Sequence, residues 1–258
     1  LTWGSRELAP RVGHAYEAGL AYDPTHYVGT ELELFANATQ WKGYFARSIA
    51  RWVRGDVLEV GAGIGANTEE LHGPAVRSWL SLEPDASLAA QATRALGALP
   101  NCRVVVGTTG SAELGTYDSV LYIDVLEHIE DDREELERAA ALLKDGGHLV
   151  VLCPAHQALY SELDKAVGHF RRYDVKSLTA CGPSTLILES AYYLDSVGML
   201  ASLANRALLK QGTPSLSQIR FWDRFMVPLS RLLDPCVGRR LGKSVVAVWR
   251  RAGARGEG

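Results

Sequence analysis

Cysteine is scarce and unpaired in this sequence. Cys102, Cys153, Cys181 and Cys236 are the four cysteines in 258 residues, and no two of them make a C-x-x-C pair. That spacing argues against a zinc knuckle and reads as a reduced, cytoplasmic chain. Positive charge is not in excess either, since 27 Lys and Arg stand against 30 Asp and Glu, for a formal charge of −3. Without a basic footprint, polymeric DNA or RNA is a poor partner. No apolar run reaches membrane-spanning length, so no membrane span is expected, and no leader pattern opens the sequence. Repeats, linkers and low-complexity runs are missing too.

What is present is a core-forming composition, 47% hydrophobic and 22% charged, enough for one large domain or one domain with an appendage. Short apolar runs at Val57–Val60, Trp79–Leu82, Cys102–Val106, Ser119–Ile123 and His148–Cys153 read as strands. Helical stretches at Asn67–Leu71, Ala86–Leu96 and Asp132–Leu143 lie between them. Buried strands alternating with helices predict βαβ units and a mostly parallel sheet covered on both faces. Before them, residues 31–53 show helical spacing broken near Asn37. After them, Leu186–Leu194 and Ser244–Trp249 read as strands enclosing helices over 196–210 and 216–233. In the latter, Ile219, Trp222, Phe225, Met226, Leu229, Leu232 and Leu233 form an apolar stripe. Arg220, Asp223, Arg224 and Arg231 lie opposite it, and a kink is expected at Pro228.

The stretch VLEVGAGIGANTEEL, residues Val57–Leu71, places Gly61, Gly63 and Gly65 directly after the first strand. Bare backbone there admits a close ligand, and the following helix offers free N–H groups. Gly61, Gly63 and Ala66 also satisfy the dinucleotide fingerprint, with Glu83 placed to meet a ribose, so the glycines alone do not choose a cofactor. Glu59 separates the readings, because a carboxylate there repels a pyrophosphate and attracts a sulfonium or ammonium.

The order of four motifs resembles a class I S-adenosylmethionine-dependent methyltransferase of the small-molecule type. The glycine loop with Glu59, SLEPD with Glu83, LYIDVLEHI and LLKDGGHLVV all correspond to motifs of that family, over roughly residues 50–195 and the terminal strand. The resemblance implies an α/β three-layer sandwich. Its Rossmann-like sheet is expected to have seven strands, mostly parallel, with an antiparallel last strand. It further implies a cap or lid over 1–50, a cofactor-binding core over 51–195, a helical insert over 196–243 near the acceptor site, and the last strand with a loose tail over 244–258. The implied cofactor is S-adenosylmethionine, held by Glu59, Gly61, Gly63, Gly65, Glu83 and Asp124. Many relatives carry an adenine-binding acid after the third strand; here Thr108 and Thr109 occupy that place. The implied reaction is methyl transfer to an oxygen, nitrogen or carbon of a small-molecule acceptor such as a metabolite, sugar, lipid or natural product.

His128, His156 and His169 are the candidate bases. Asp124, Glu127 and His128 share one face if a helix begins there, and pocket lining ranks first, a base second and a metal site third, so no metal is assigned. The segment after the fifth strand is dense in titratable groups, and Tyr160, Arg171, Arg172 and Tyr173, with Tyr27 near the N-terminus, are the candidate acceptor contacts. Tyr16, Tyr22, His26 and Tyr27 form a lid or pack on the first helix. The rivals are a protein of this fold catalysing another displacement or cyclisation, a non-enzymatic partner, and an NAD-dependent dehydrogenase. The C-terminal insert is expected to cover the pocket mouth, pack as core, or make a dimer, partner or membrane-surface contact.

Overall fold

A computed structural model describes residues 31–111, 115–206 and 215–253. Tyr16, Tyr22, His26 and Tyr27 lie outside the described residues. The helical pattern over 31–53 divides at Asn37 as expected, into α1 (Glu31–Ala36) and α2 (Thr39–Ile49), and a 3-10 turn at Ala50–Trp52 leads into β1 (Gly55–Val60). The alternating elements follow in order: α3 (Ala66–Leu71), β2 (Val76–Glu83), α4 (Ala86–Leu96), β3 (Cys102–Val106), β4 (Tyr117–Ile123), α5 (Asp132–Ala141) and β5 (Leu143–Pro154). Next come α6 (Glu162–Ala166), α7 (Val175–Cys181), β6 (Leu186–Leu194), α8 (Ser196–Ala204), α9 (Leu216–Phe221), α10 (Val227–Cys236) and β7 (Ser244–Arg251).

The seven strands form one sheet in the order β3-β2-β1-β4-β5-β7-β6. The first five pair in parallel, and β7 runs antiparallel to both β5 and β6. Leu58, Val120, Tyr122, Leu149, Val151 and Trp249 turn to one face, where they meet Leu136 and Ala139 of α5 and Leu178 of α7. Val57, Trp79, Leu121, Val150, Leu152 and Val248 turn to the other, against Trp41, Phe45 and Ile49 of α2 and Val227 of α10. Burial on both faces explains why these strands read as continuous apolar runs. The three-layer α/β architecture with an antiparallel last strand is therefore the one expected. β5 begins earlier than expected. Tyr117 pairs with Leu143 and Ser119 with His148, so Lys144–Gly147 bulges out of the ladder, and the two glycines make that bulge.

The C-terminal helices require a correction. The helix expected over 216–233 is interrupted by a π-turn at Trp222–Met226, and Pro228, where a kink is expected, directly follows that wider turn at the start of α10. The apolar stripe is also split. Ile219 and Val227 are buried, but Phe225, Leu229, Leu232 and Leu233 are exposed, whereas Asp223, expected on the outer face, is buried. The π-turn rotates the helix face, and unsatisfied donors claim the inner one. Asp223 accepts the N–H groups of Gln40 (3.2 Å) and Trp41 (2.8 Å), capping α2, which has no side-chain cap of its own. Asp234 accepts Tyr44 Oη (2.7 Å) and the N–H groups of Asp195 (2.7 Å) and Ser196 (3.0 Å). An unpaired buried donor costs about 1–3 kcal/mol, comparable with the burial of one leucine, and the two aspartates together satisfy five such donors.

Candidate active site

The site lies beyond the carboxyl ends of β1, β2, β4 and β5, where an open α/β sheet offers a crevice. Gly61, Gly63 and Gly65 take φ of +74°, +56° and +86°, a region that strains any side chain. A Cβ on Gly61 would also stand 2.6 Å from the Val125 side chain. The loop therefore needs glycine both for its turn and for its contact with the end of β4.

Glu83 is buried and ties this loop to the end of β2. Its Oε2 accepts Gly63 N–H at 2.8 Å and its Oε1 accepts Asp85 N–H at 3.0 Å. Burial pushes its carboxyl up, and the two N–H groups oppose that shift. A carboxylate has about four acceptor positions, so two remain for a ligand. Glu59 is also buried. Its Oε2 accepts Thr68 Oγ1, Ser81 Oγ (3.0 Å) and Trp79 Nε1 (3.2 Å), and its Oε1 has no hydrogen-bond partner. Burial raises its carboxyl as well. Thr109 Oγ1 donates to Glu135 at 2.9 Å, while Thr108 is exposed and its N–H goes to Ser111 Oγ.

The helix face expected for Asp124, Glu127 and His128 does not form. Asp124 is left-handed (φ +54°), a 3-10 turn spans Leu126–His128, and α5 begins only at Asp132. No side-chain cap holds the 3-10 turn, because its N-cap position is Val125, which carries no acceptor. Asp124 is exposed at the crevice but surrounded by protein. Desolvation pushes its carboxyl up to about 7, against the pull of Lys243 and Arg172. Glu127 is fully buried; neither carboxylate oxygen makes a hydrogen bond of ordinary geometry, and its own N–H and the Cys153 thiol approach it as weak donors.

The structure separates the three histidines. His128 and His169 meet edge to face with ring centroids 4.6 Å apart. His156 instead stacks on Tyr193 of β6, at 5.0 Å and 20°. Burial, and then the neighbouring His169, bring His128 down to about 3. His169 Nδ1 lies 2.8 Å from Asp164 Oδ1, and its Nε2 lies 3.9 Å from Glu127 Oε1. Arg172 makes a two-pronged pair with Asp164 through Nε (2.7 Å) and Nη2 (2.9 Å). Arg171 pairs with Asp132 at 2.7 Å. Tyr173 is buried and donates to Asp132 at 2.8 Å, and Tyr160 Oη donates to the carbonyl of His169 at 2.5 Å. Four expected acceptor contacts are thus engaged by the protein. Tyr27 lies outside the described residues.

Sequence reasoning missed Lys243. It precedes β7, and because β7 is antiparallel to β5 its first residue reaches the carboxyl end of the parallel strands. The Lys243 ammonium sits 4.9 Å over the Trp222 ring. Desolvation pulls its pKa down, and Asp195, Arg172, Asp124 and Asp164 are its charged neighbours. The expectation of an antiparallel last strand was the one signal able to find it.

Residues 58–149 match a family model described as a methyltransferase domain. Among solved structures the fold resembles N-methyltransferase NodS from Bradyrhizobium japonicum WM9 in complex with S-adenosylhomocysteine. Identity is 14%, over 83% of this chain and 88% of that one, with a TM-score of 0.54. It also resembles the YcgJ protein from Bacillus subtilis, at 16% identity over 83% of this chain and 98% of that one, TM-score 0.55. A third likeness is to the [4+2]-cyclase SpnF, at 13% identity over 82% and 81%, TM-score 0.56. At these identities the likeness is one of fold. No curated protein sequence matches the chain.

Proposed function

We propose, from the match of residues 58–149 to a methyltransferase-domain model, that the chain transfers the methyl group of S-adenosylmethionine to an oxygen, nitrogen or carbon of a small-molecule acceptor. The observation that carries this reading is the left-handed glycine loop cross-tied by Glu83, with the carboxyl groups of Glu59, Glu83 and Asp124 around it. Three carboxyl groups suit a cofactor with a cationic sulfonium and ammonium and disfavour a pyrophosphate. The unpartnered Oε1 of Glu59 and the two free acceptor positions of Glu83 fit such a ligand.

When bound, the cofactor supplies a methyl group on a positively charged sulfur. The glycine loop admits it against bare backbone, and Glu83 accepts hydrogen bonds from the ribose hydroxyls. Alignment of the acceptor with the methyl group is the main source of rate. Asp124, exposed and with its carboxyl near 7, stands where it can receive a proton from an attacking hydroxyl or amine at neutral pH.

Calorimetry tests the cofactor: S-adenosylhomocysteine should bind and NAD should not, and the reverse result rejects the reading. Transfer of labelled methyl to a panel of hydroxyl and amine acceptors then tests the reaction. The fold likeness to SpnF supports a second reading, in which the site binds the cofactor but catalyses a cyclisation. Cofactor binding with conversion of a polyene and no labelled product would favour it.

A further inference from the structure

We infer that Glu127, His128 and His169 form a binding site for a single divalent transition-metal ion of the zinc class, with Asp164 orienting His169. One ligand atom from each of the three residues lies within 4.8 Å of the other two. Ligands sharing a zinc ion at roughly 2.0–2.2 Å sit up to about 4 Å apart, so only a small inward movement is required.

The second observation is the carboxylate. Glu127 is 0% exposed, and neither of its oxygens has a hydrogen-bond partner of ordinary geometry. Its own backbone N–H and the Cys153 thiol, a weak donor, are the groups that approach it. Arg172, a cation that also acts on it, is taken by Asp164. A buried carboxyl so weakly partnered is costly unless it holds a proton or an ion. His169 Nε2 is 3.9 Å from Glu127 Oε1, too far to accept a proton from it in a hydrogen bond and near enough to share an ion with it.

The imidazoles are prepared as ligands. Asp164 accepts from Ser161 N–H, Ser161 Oγ and Arg172 as well as from His169 Nδ1. A carboxylate held in that way only accepts, so His169 carries its proton on Nδ1 and turns the Nε2 lone pair toward Glu127 and His128. His128 is hydrogen-bonded to the carbonyl of Val167, which holds its ring in the same manner. A ring N–H anchored on a carboxylate or carbonyl is the usual support of a metal-bound histidine. Backbone bonds from Phe170 to Glu127 and from His169 to Asp164, both 2.8 Å, lace the two contributing segments together. Two imidazoles and one carboxylate match the zinc class rather than magnesium or calcium, and leave a coordination position for water or an acceptor oxygen. The site as a binding site does not depend on the methyl-transfer reading.

The test uses the tag-free full chain, stripped with a chelator and titrated with Co²⁺. One equivalent should produce the visible absorption of a low-coordinate cobalt ion, and Zn²⁺ should displace it. Glu127→Gln and His169→Ala should each abolish the signal. Asp164→Asn should weaken binding about ten- to a hundredfold, and His72→Ala should leave it unchanged. S-adenosylhomocysteine titration of every variant serves as the check on folding and on the cofactor reading. Absence of the cobalt signal in a chain that binds S-adenosylhomocysteine overturns the metal site, as does an undiminished signal in His169→Ala. A cobalt signal in a chain that does not bind S-adenosylhomocysteine supports the metal site and rejects the methyl-transfer reading alone.

Discussion

Replacing Glu83 tests the cofactor loop most directly. The side chain holds Gly63 N–H at 2.8 Å and Asp85 N–H at 3.0 Å. Each is a charge-assisted bond worth roughly 1.5–3 kcal/mol when one partner is removed. Water entering the vacated space recovers part of that sum, so Glu83→Ala should lose about 2–4 kcal/mol of stability. For a chain of this length that is a fall in Tm of about 5–10 °C. The same change removes the ribose acceptor and loosens the loop, so affinity for S-adenosylhomocysteine should fall at least about a hundredfold. Glu83→Gln separates the two effects. Its amide keeps one oxygen acceptor but turns an N–H toward a main-chain N–H, so it should fall between wild type and alanine in both measurements. Glu69→Ala, on the outer side of α3, should change neither. Thermal denaturation with and without ligand, together with calorimetry, reads both quantities. S-adenosylhomocysteine binding by Glu83→Ala within twofold of wild type would refute the ribose role, and an unchanged Tm would refute the cross-tie.

Gly61→Ala combines positive φ with a Cβ 2.6 Å from Val125; it should cost about 1–3 kcal/mol, and Val125→Ala added to it should recover only the steric part, as read by urea unfolding. Trp222 packs against Phe35 and Trp41 and donates to Asp195 at 2.7 Å, so Trp222→Ala should destabilise by about 3 kcal/mol whereas exposed Phe225→Ala should stay within about 0.5 kcal/mol; equal effects would mean that the two faces of this helix have been exchanged. Asp124 has a raised folded-state pKa, so the unfolded chain releases that proton first and the carboxyl costs stability as pH rises from its unfolded value toward about 7. Asp124→Asn should accordingly be more stable than wild type at pH 8 and equal to it at pH 3.5, and lower stability at pH 8 would contradict the sign.

The strands, the glycine loop and the order of the elements were legible in the sequence because they rest on local patterns. Apolar runs at Val57–Val60 and Ser119–Ile123 follow from burial on both faces of a sheet, and the break at Asn37 and the turn at Gly61–Gly65 follow from residue-level backbone preferences. The stripe over 216–233 misled for a physical reason. Its spacing was correct, but the π-turn changed its phase, and the backbone donors of α2 and of residues 195–196 drew Asp223 and Asp234 inward.

The sequence by itself therefore determined the α/β class, the sheet with its cofactor loop, and the carboxylates Glu59 and Glu83 that flank that loop. Only the tertiary structure decided which titratable groups stand together. Periodicity reports which face a residue occupies within its own element and carries no information about what lies across a crevice. The 3-10 turn after β4 sends Glu127 and His128 toward a segment forty residues further on, where His169 and Asp164 wait. The insertion of β7 between β5 and β6 brings Lys243 to the same crevice from near the end of the chain, because an antiparallel strand starts where its parallel neighbours finish.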